Sequence, residues 1–255
     1  MLDKIKVKVS EFVANILEND AFRFGFVKNG KSNKNALLNK LIPTLLEVKK
    51  ARRSEIEEIL KYEYNKRDAE KIYDAINIVI DKVYFNDEEL NRLVEDIWIR
   101  PAKDKITVFD EIKRSELEIT ELDLSSYIRN MLNEYSKLPQ YKREALVFDE
   151  EFEIFADACH SHQIIHFTDK ETKEKYRAFA FDYYQGYSYE QENYCIIYDI
   201  GKKRIIALEL HKIDNIYAIK KKFKPSESLV ETLQNYLDSF KFDKVIDVED
   251  GKNVF

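Results

Sequence analysis

Residues 4 to 9 read Lys-Ile-Lys-Val-Lys-Val, a strict alternation that sets β-branched side chains on one face of a strand and ammonium groups on the other. A strand this short with one apolar face has no stability of its own. Ser10 follows as an N-cap, and Phe12, Val13, Ile16, Leu17 and Phe22 recur at helical spacing up to Gly25, which predicts a helix over about 10–24. The turn Lys28-Asn29-Gly30-Lys31-Ser32-Asn33 then leads into a second helical stripe of Ala36, Leu37, Leu38, Leu41, Ile42, Leu45 and Leu46. A strand and two helices in roughly 45 residues bury too little surface to fold unaided. This segment must pair with something.

The order strand, helix, turn, helix, with Lys-Asn-Ala-Leu-Leu-Asn-Lys-Leu-Ile at 34–42, resembles the ribbon-helix-helix family over residues 3–48. Members of that family pair two such units into an antiparallel ribbon that lies in the DNA major groove. The resemblance implies that Lys4, Lys6 and Lys8 face base edges or phosphates, and that Ser32, Asn33 and Lys34 present the free amides of the second helix to a phosphate. Lysines on an edge strand also have a plainer use, protection against aggregation.

A second copy of the pattern follows. Asp96-Ile97-Trp98-Ile99-Arg100-Pro101 alternates like the first strand, a stretch with Ile106, Val108, Phe109 and Ile112 succeeds it, and a helix is predicted from about Asp123-Leu124-Ser125-Ser126. Tyr127-Ile128-Arg129-Asn130-Met131-Leu132-Asn133 lies over Ala36-Leu37-Leu38-Asn39-Lys40-Leu41-Ile42, with Asn130 at the place of Asn39. Two readings stay open. One chain supplies both strands, and Trp98 and Arg100 join the lysines as nucleic-acid contacts; or the match is coincidence between amphipathic helices, and the N-terminal unit pairs across a homodimer.

Charge supports a nucleic-acid partner only once it is resolved along the chain. The formal net charge is −6, yet residues 1–53 hold twelve basic and five acidic side chains, a local +7 on an acidic body of −13. No apolar run approaches the length that spans a bilayer, the start lacks a secretion-signal layout, and the two cysteines, Cys159 and Cys195, form no disulfide framework; a soluble, cytoplasmic protein without membrane contact is expected.

Residues 51–95 read as a helical region carrying Ile56, Ile59, Leu60, Ile72, Ala75, Ile76, Ile78 and Val79, with Asn86-Asp87-Glu88 as a cap. Beyond residue 141 a short helix through Phe152 to Ala158 precedes strands predicted over Gln163–Thr168, Tyr176–Tyr184, Tyr194–Asp199 and Arg204–Lys212, separated by turns at Asp169-Lys170, Gly186 and Gly201-Lys202. So many short strands in so little chain suggest a small barrel. The series resembles the WYL domain, an Sm-like or SH3-like barrel of bacterial regulators, with the signature falling on Asn193-Tyr194-Cys195 and the closing pair on Lys212-Ile213.

That resemblance implies a pocket for an anionic ligand or nucleic acid, with Arg177, Arg204 and Lys212 as its cations and Tyr194 as an aromatic platform. The chain departs from the family at two points. Only Tyr194 of the tripeptide is kept, and the arginine-rich closing strand reads Ile-Ala-Leu-Glu-Leu-His-Lys-Ile at 206–213, where Glu209 would repel phosphate. A core tyrosine and ordinary surface charges are the alternative. The run Tyr183-Tyr184-Gln185-Gly186-Tyr187-Ser188-Tyr189 offers stacking faces, but residues 178–201 contain no Lys or Arg to draw in a phosphate backbone. Pro225-Ser226-Glu227-Ser228 caps a last helix bearing Leu229, Val230, Leu233, Tyr236, Leu237 and Phe240, suited to dimerisation or to covering the barrel, and Val245-Ile246-Asp247-Val248 adds a strand.

With five glycines in the chain there is no GxGxxG, no P-loop and no GxSxG elbow, and no HExxH helix occurs. Cys159-His160-Ser161-His162 lacks the second ligand pair of a closed zinc site. No enzyme, metal or cofactor is expected. The fold class expected is α+β: a ribbon-helix-helix unit over 1–50, a helical linker over 51–95, a second such unit over 96–142, a WYL-like barrel over 143–222, and a helix and tail over 223–255. The function expected is a DNA-binding transcriptional regulator with a ligand-sensing WYL domain and an unknown effector ligand. The chain order, with Pro139-Gln140-Tyr141-Lys142-Arg143-Glu144 before the barrel, also resembles WYL accessory proteins of subtype VI-D CRISPR systems. Two alternatives follow: an RNA-binding accessory of a CRISPR effector, holding single-stranded RNA instead of duplex DNA, or a protein-interaction module.

Overall fold

A computed structural model describes residues 4–65, 67–68, 71–73, 75–76, 92–120, 122–185, 192–239, 246–249 and 252–253. Helices and strands are mixed in an α+β arrangement, and the chain divides into two compact units, Met1–Leu138 and Pro139–Phe255. Among the described residues no helix is long and apolar enough to cross a membrane.

In the first unit, strand β1 (Ile5–Ser10) follows its alternation: Ile5, Val7 and Val9 are buried while Lys6 and Lys8 are exposed. Ser10 ends it and caps helix α1 (Glu11–Arg23) by accepting from the Val13 amide. A two-residue hairpin follows, β2 (Val27–Lys28) against β3 (Lys31–Ser32). Its corner, Asn29-Gly30, has φ of 53° and 73°, the left-handed values that Asn and Gly reach at least cost. Asn33 caps helix α2 (Lys34–Glu63).

The second helix crosses the boundary expected at residue 50 and runs unbroken through Pro43 to Glu63. Pro43 withholds one amide, but Leu41, Ile42, Leu45 and Leu46 around it are all buried, and packing outweighs one missing hydrogen bond. Ile78, Val79 and the Asn86-Asp87-Glu88 cap lie outside the described residues.

Strand β4 (Leu93–Ile99) pairs antiparallel with β1 in the same chain, with Ile5 opposite Ile99, Lys6 opposite Trp98 and Lys8 opposite Asp96. The ribbon is therefore completed internally, and no second copy is needed to supply its other strand. Helix α3 (Ile106–Glu111) runs on through a π turn at Ile112–Glu116 into a last turn at Leu117–Thr120, and Asp123 caps helix α4 (Leu124–Lys137). Strand β1 packs against α4, and β4 against α1 and α2, so each strand lies under helices of the other half. Two buried polar links pin this core. The Tyr135 hydroxyl donates to Asp20 at 2.7 Å, and Glu116 accepts from Tyr127 at 2.6 Å and from Arg53 at 2.6 Å.

The second unit opens with helices α5 (Gln140–Val147) and α6 (Asp149–Ser161). Strands β5 (Gln163–Asp169), β6 (Lys175–Gln185), β7 (Asn193–Asp199), β8 (Arg204–Glu209) and β9 (Ile213–Lys222) follow, then helix α7 (Glu227–Asp238) and strands β10 (Ile246–Glu249) and β11 (Lys252–Asn253). The sheet is antiparallel in the order β11-β10-β8-β7-β6-β5-β9. No pairing joins its two edges among the described residues. Over those residues the barrel expected from the sequence is an open, seven-stranded sheet.

The segment after residue 212, given no strand in the sequence reading, forms β9 because β5 offers it an unpaired edge. Helix α6 packs across β5, β6 and β9. Helix α7 covers the sheet instead of standing free, with Leu229, Leu233 and Tyr236 packed on Phe179, Ile196, Tyr198 and Ile205.

Candidate nucleic-acid interface

The alternation of β1 and β4 decides what the ribbon shows to solvent. Directly opposed residues of an antiparallel pair point the same way, so Lys6 and Trp98 form one step of the outer face and Lys8 and Asp96 the next. Lys4 and Arg100, both exposed, continue the row beyond the Ile5–Ile99 pair. Trp98 is 53% exposed although it is the chain's one tryptophan, and the Lys6 ammonium lies 5.6 Å from its ring centroid. Asp96 partly offsets this charge through an ion pair with Lys6 at 2.8 Å. The arrangement joins several cations to an exposed aromatic ring, the two groups that hold phosphate and an unstacked base.

Arg100 owes its position to two asparagines that sequence reasoning gave no role. The Asn35 side-chain oxygen accepts from the Arg100 amide at 2.7 Å, and Asn39 donates to the Arg100 carbonyl at 3.0 Å while accepting from the Ala102 amide at 2.7 Å. These bonds dock the end of β4 on the first turns of α2, so the ribbon end and that helix N-terminus are neighbours. Asn130, the counterpart of Asn39 in the sequence match, is buried in α4 with neither side-chain atom hydrogen-bonded among the described residues. The two halves are not equivalent.

The predicted helix-terminal contacts are already engaged. Asn33 accepts from the Ala36 amide. Lys34 pairs with Glu18 at 3.1 Å, and Glu18 is held below its ordinary carboxylate range by its hydrogen bond and attraction to Lys34, with Ser32 adding a further hydrogen bond. Ser32 and Lys34 thus share Glu18, while the Asn33 side chain is engaged in its own helix cap.

In the second unit the four residues read as a ligand pocket are dispersed. Tyr194 stands opposite Glu209 at one end of the β7–β8 ladder and Arg204 opposite Asp199 at the other, five residues along the strand, roughly 17 Å. Arg204 is paired with Glu174 at 2.9 Å and Asp199 at 3.4 Å and leans over the Tyr176 ring. Lys212 is paired with Glu209 at 2.8 Å and Glu171 at 3.3 Å; burial alone would lower its pKa, and these carboxylates reverse that and raise it. Arg177 is exposed on β6, on the side of the strand opposite Tyr176. Tyr194 is half-buried against the α7 core and donates to Glu192.

What organises this end of the unit is a carboxylate that looks in sequence like any other. Glu144 of α5 is fully buried, and one oxygen accepts from the His211 amide at 3.2 Å and lies 2.8 Å from its ring Nδ1. The other accepts from the Asn193 amide at 2.9 Å and its side-chain nitrogen at 2.8 Å. Asn193, the departure at the signature position, is thereby the residue that ties β7 to α5.

Burial pushes the Cys159 thiol up to about 12 and Cys195 well above its ordinary value, which leaves both as poor nucleophiles. His160 is bonded to the Ala156 carbonyl, and His162 ends α6 at a left-handed φ of 53°. Tyr183 packs edge-on against Phe152. Gly186, Tyr187 and Tyr189 lie outside the described residues.

No protein-family model matches the chain, and no curated protein matches it in sequence. Among solved structures, one described as the crystal structure of a CRISPR Cas-related protein superposes with a TM-score of 0.71, covering 95% of this chain and 72% of its own at 12% identity. At that identity the likeness establishes a shared fold.

Proposed function

We propose that the protein is a non-catalytic nucleic-acid-binding accessory of a CRISPR system, that its first unit is a ribbon-helix-helix fold built within one chain, and that the outer face of the ribbon holds single-stranded RNA. The observation that carries this reading is the asymmetry of that face. Strand β1 contributes Lys6 and Lys8, with Lys4 just before it, while β4 sets Asp96 and Trp98 opposite them. A ribbon that reads a palindromic operator presents the same side chains from both strands, because operator symmetry mirrors protein symmetry. Cations along one strand and an exposed indole on the other suit a single backbone with an unstacked base. The structural neighbour's description as CRISPR Cas-related supports the accessory role.

A duplex-binding repressor is the second reading, favoured by the alternating lysines. A WYL-type sensing pocket in the second unit has less support, since Arg204 and Lys212 are both neutralised by carboxylates.

Fluorescence anisotropy with a labelled 20-nucleotide single-stranded RNA, the DNA of the same sequence and its duplex, each at several salt concentrations, tests the proposal. The RNA is expected to bind tightest, and the combined change Lys4→Ala, Lys6→Ala, Lys8→Ala to flatten the slope of log affinity against log salt by about two, near 0.7 for each phosphate no longer neutralised. If the duplex binds tightest and it alone responds to the lysines, the repressor reading replaces this one.

A further inference from the structure

A run of exposed cations in the second unit lies on and just after the edge strand β9. Residues 215–226 contain four lysines and no carboxylate, and Lys220, Lys221 and Lys222 are all exposed. None of these three takes part in an ion pair among the described residues, in contrast with Arg204 and Lys212. The pairing of β9 with β5 slips between Ile219, opposite Ile164, and Lys222, opposite Gln163, which leaves Lys220 and Lys221 in a bulge. A bulged, lysine-bearing edge is a poor template for another strand, so a peptide added to the sheet is disfavoured here.

Edge protection alone would explain the lysines. It does not explain the row beside them. Tyr217 of β9, 55% exposed, stacks on His166 of β5 with ring centroids 5.3 Å apart and planes 7° from parallel. Directly across β5, His166 faces the exposed Arg177 of β6. Opposed residues point to one side of a sheet, so tyrosine, imidazole and guanidinium form a continuous row across three strands. The outer face of such a stacked pair is a platform for a base, and the adjacent guanidinium and ammonium groups suit the phosphates on either side of it.

We infer that the β9 edge, with Tyr217 stacked on His166 beside Arg177 and the bulge lysines Lys220, Lys221 and Lys222, is a second contact for single-stranded nucleic acid. It rests on the reading of the protein as a binder of such strands, but it is carried by different residues in a different unit. Base stacking on Tyr217 supplies affinity without sequence preference, and the lysines supply the salt-dependent part.

The test uses the full chain and a labelled 20-nucleotide oligouridylate, with thermal melting to confirm that each variant is folded. Tyr217→Ala is expected to weaken binding by about 5- to 150-fold, the range for a single base stack. The combined change Lys220→Ala, Lys221→Ala, Lys222→Ala should flatten the salt slope by up to about two. Both effects should persist when the ribbon lysines are also replaced. If folded β9 variants bind like the unaltered protein in both backgrounds, the inference is overturned while the ribbon reading stands. If ribbon variants bind normally and β9 variants do not, the ribbon reading falls and this one stands. Failure of the unaltered protein to bind overturns both. A poly-glutamate peptide that competes as well as unlabelled oligouridylate overturns recognition of a nucleic acid here.

Discussion

The ribbon of the first unit and the β7–β8 ladder of the second both carry cations singled out in the sequence, and the two surfaces have opposite fates. On the ribbon, one carboxylate, Asp96, meets Lys6, while Lys8 and Arg100 remain exposed beside an exposed indole. On the ladder Arg204 meets Glu174 and Asp199, and in the turn just after it Lys212 meets Glu209 and Glu171. The difference lies in the carboxylates that local turns and the facing strand bring to each cation: Asp199 faces Arg204 across the ladder, Glu174 and Glu171 come from the turn before β6, and Glu209 precedes Lys212 by three residues, none of which residue type fixes. A basic residue is available to a ligand only where the carboxylates around it leave it so.

Four substitutions put that contrast at risk. The largest effect is expected from Glu144→Ala in the second unit, which strands four buried donors on Asn193 and His211 and should cost about 3–5 kcal/mol by urea unfolding. A cost under about 1 kcal/mol would mean that this clamp does not organise the ladder. Next, Asn39→Ala removes the two long-range bonds that dock residues 100–102 on α2, with an expected loss of about 1–2 kcal/mol and a matching fall in RNA affinity as Arg100 loses its anchor. Unchanged affinity would separate Arg100 from the interface. Asp96→Ala releases Lys6 and should tighten RNA binding about two- to fivefold at low salt, the scale of one exposed ion pair. Last, Arg204→Gln should leave RNA affinity within about twofold, because its two carboxylates already satisfy it; a large drop would make the ladder an interface after all.

Local features were legible in the sequence because local physics dictates them. Ser10, Asn33, Asp123 and Ser226 each accept from the amide three residues on, the geometry of an N-cap. The strand–helix–helix pattern and its second occurrence were visible in the same way, and so were the turns at Asp169 and Gly201. What escaped depends on distant partners. Strand β9 reads as a loop through Asp214-Asn215 and its lysines, and becomes a strand only because β5 has an open edge. Glu144 sits on a helix whose pattern gives no reason to expect a fully buried carboxylate, and its role appears only once Asn193 and His211 converge on it. The residues Lys4, Lys6, Lys8, Trp98 and Arg100 singled out in the sequence fall along one exposed face of the paired strands, whereas the β9 row escaped notice because His166, Arg177 and Tyr217 come from three separated segments.

The internal pairing of β1 with β4 also sets a timetable. Ile5 and Ile99 are roughly ninety residues apart, so at about 5–20 residues per second a ribosome releases the second strand some 5–20 seconds after the first. Through that interval β1 waits with its apolar row unmatched, and the alternating ammonium groups keep nascent chains from annealing to one another. Once joined, the ribbon is a unimolecular product whose population does not depend on dilution, unlike a ribbon shared between two chains.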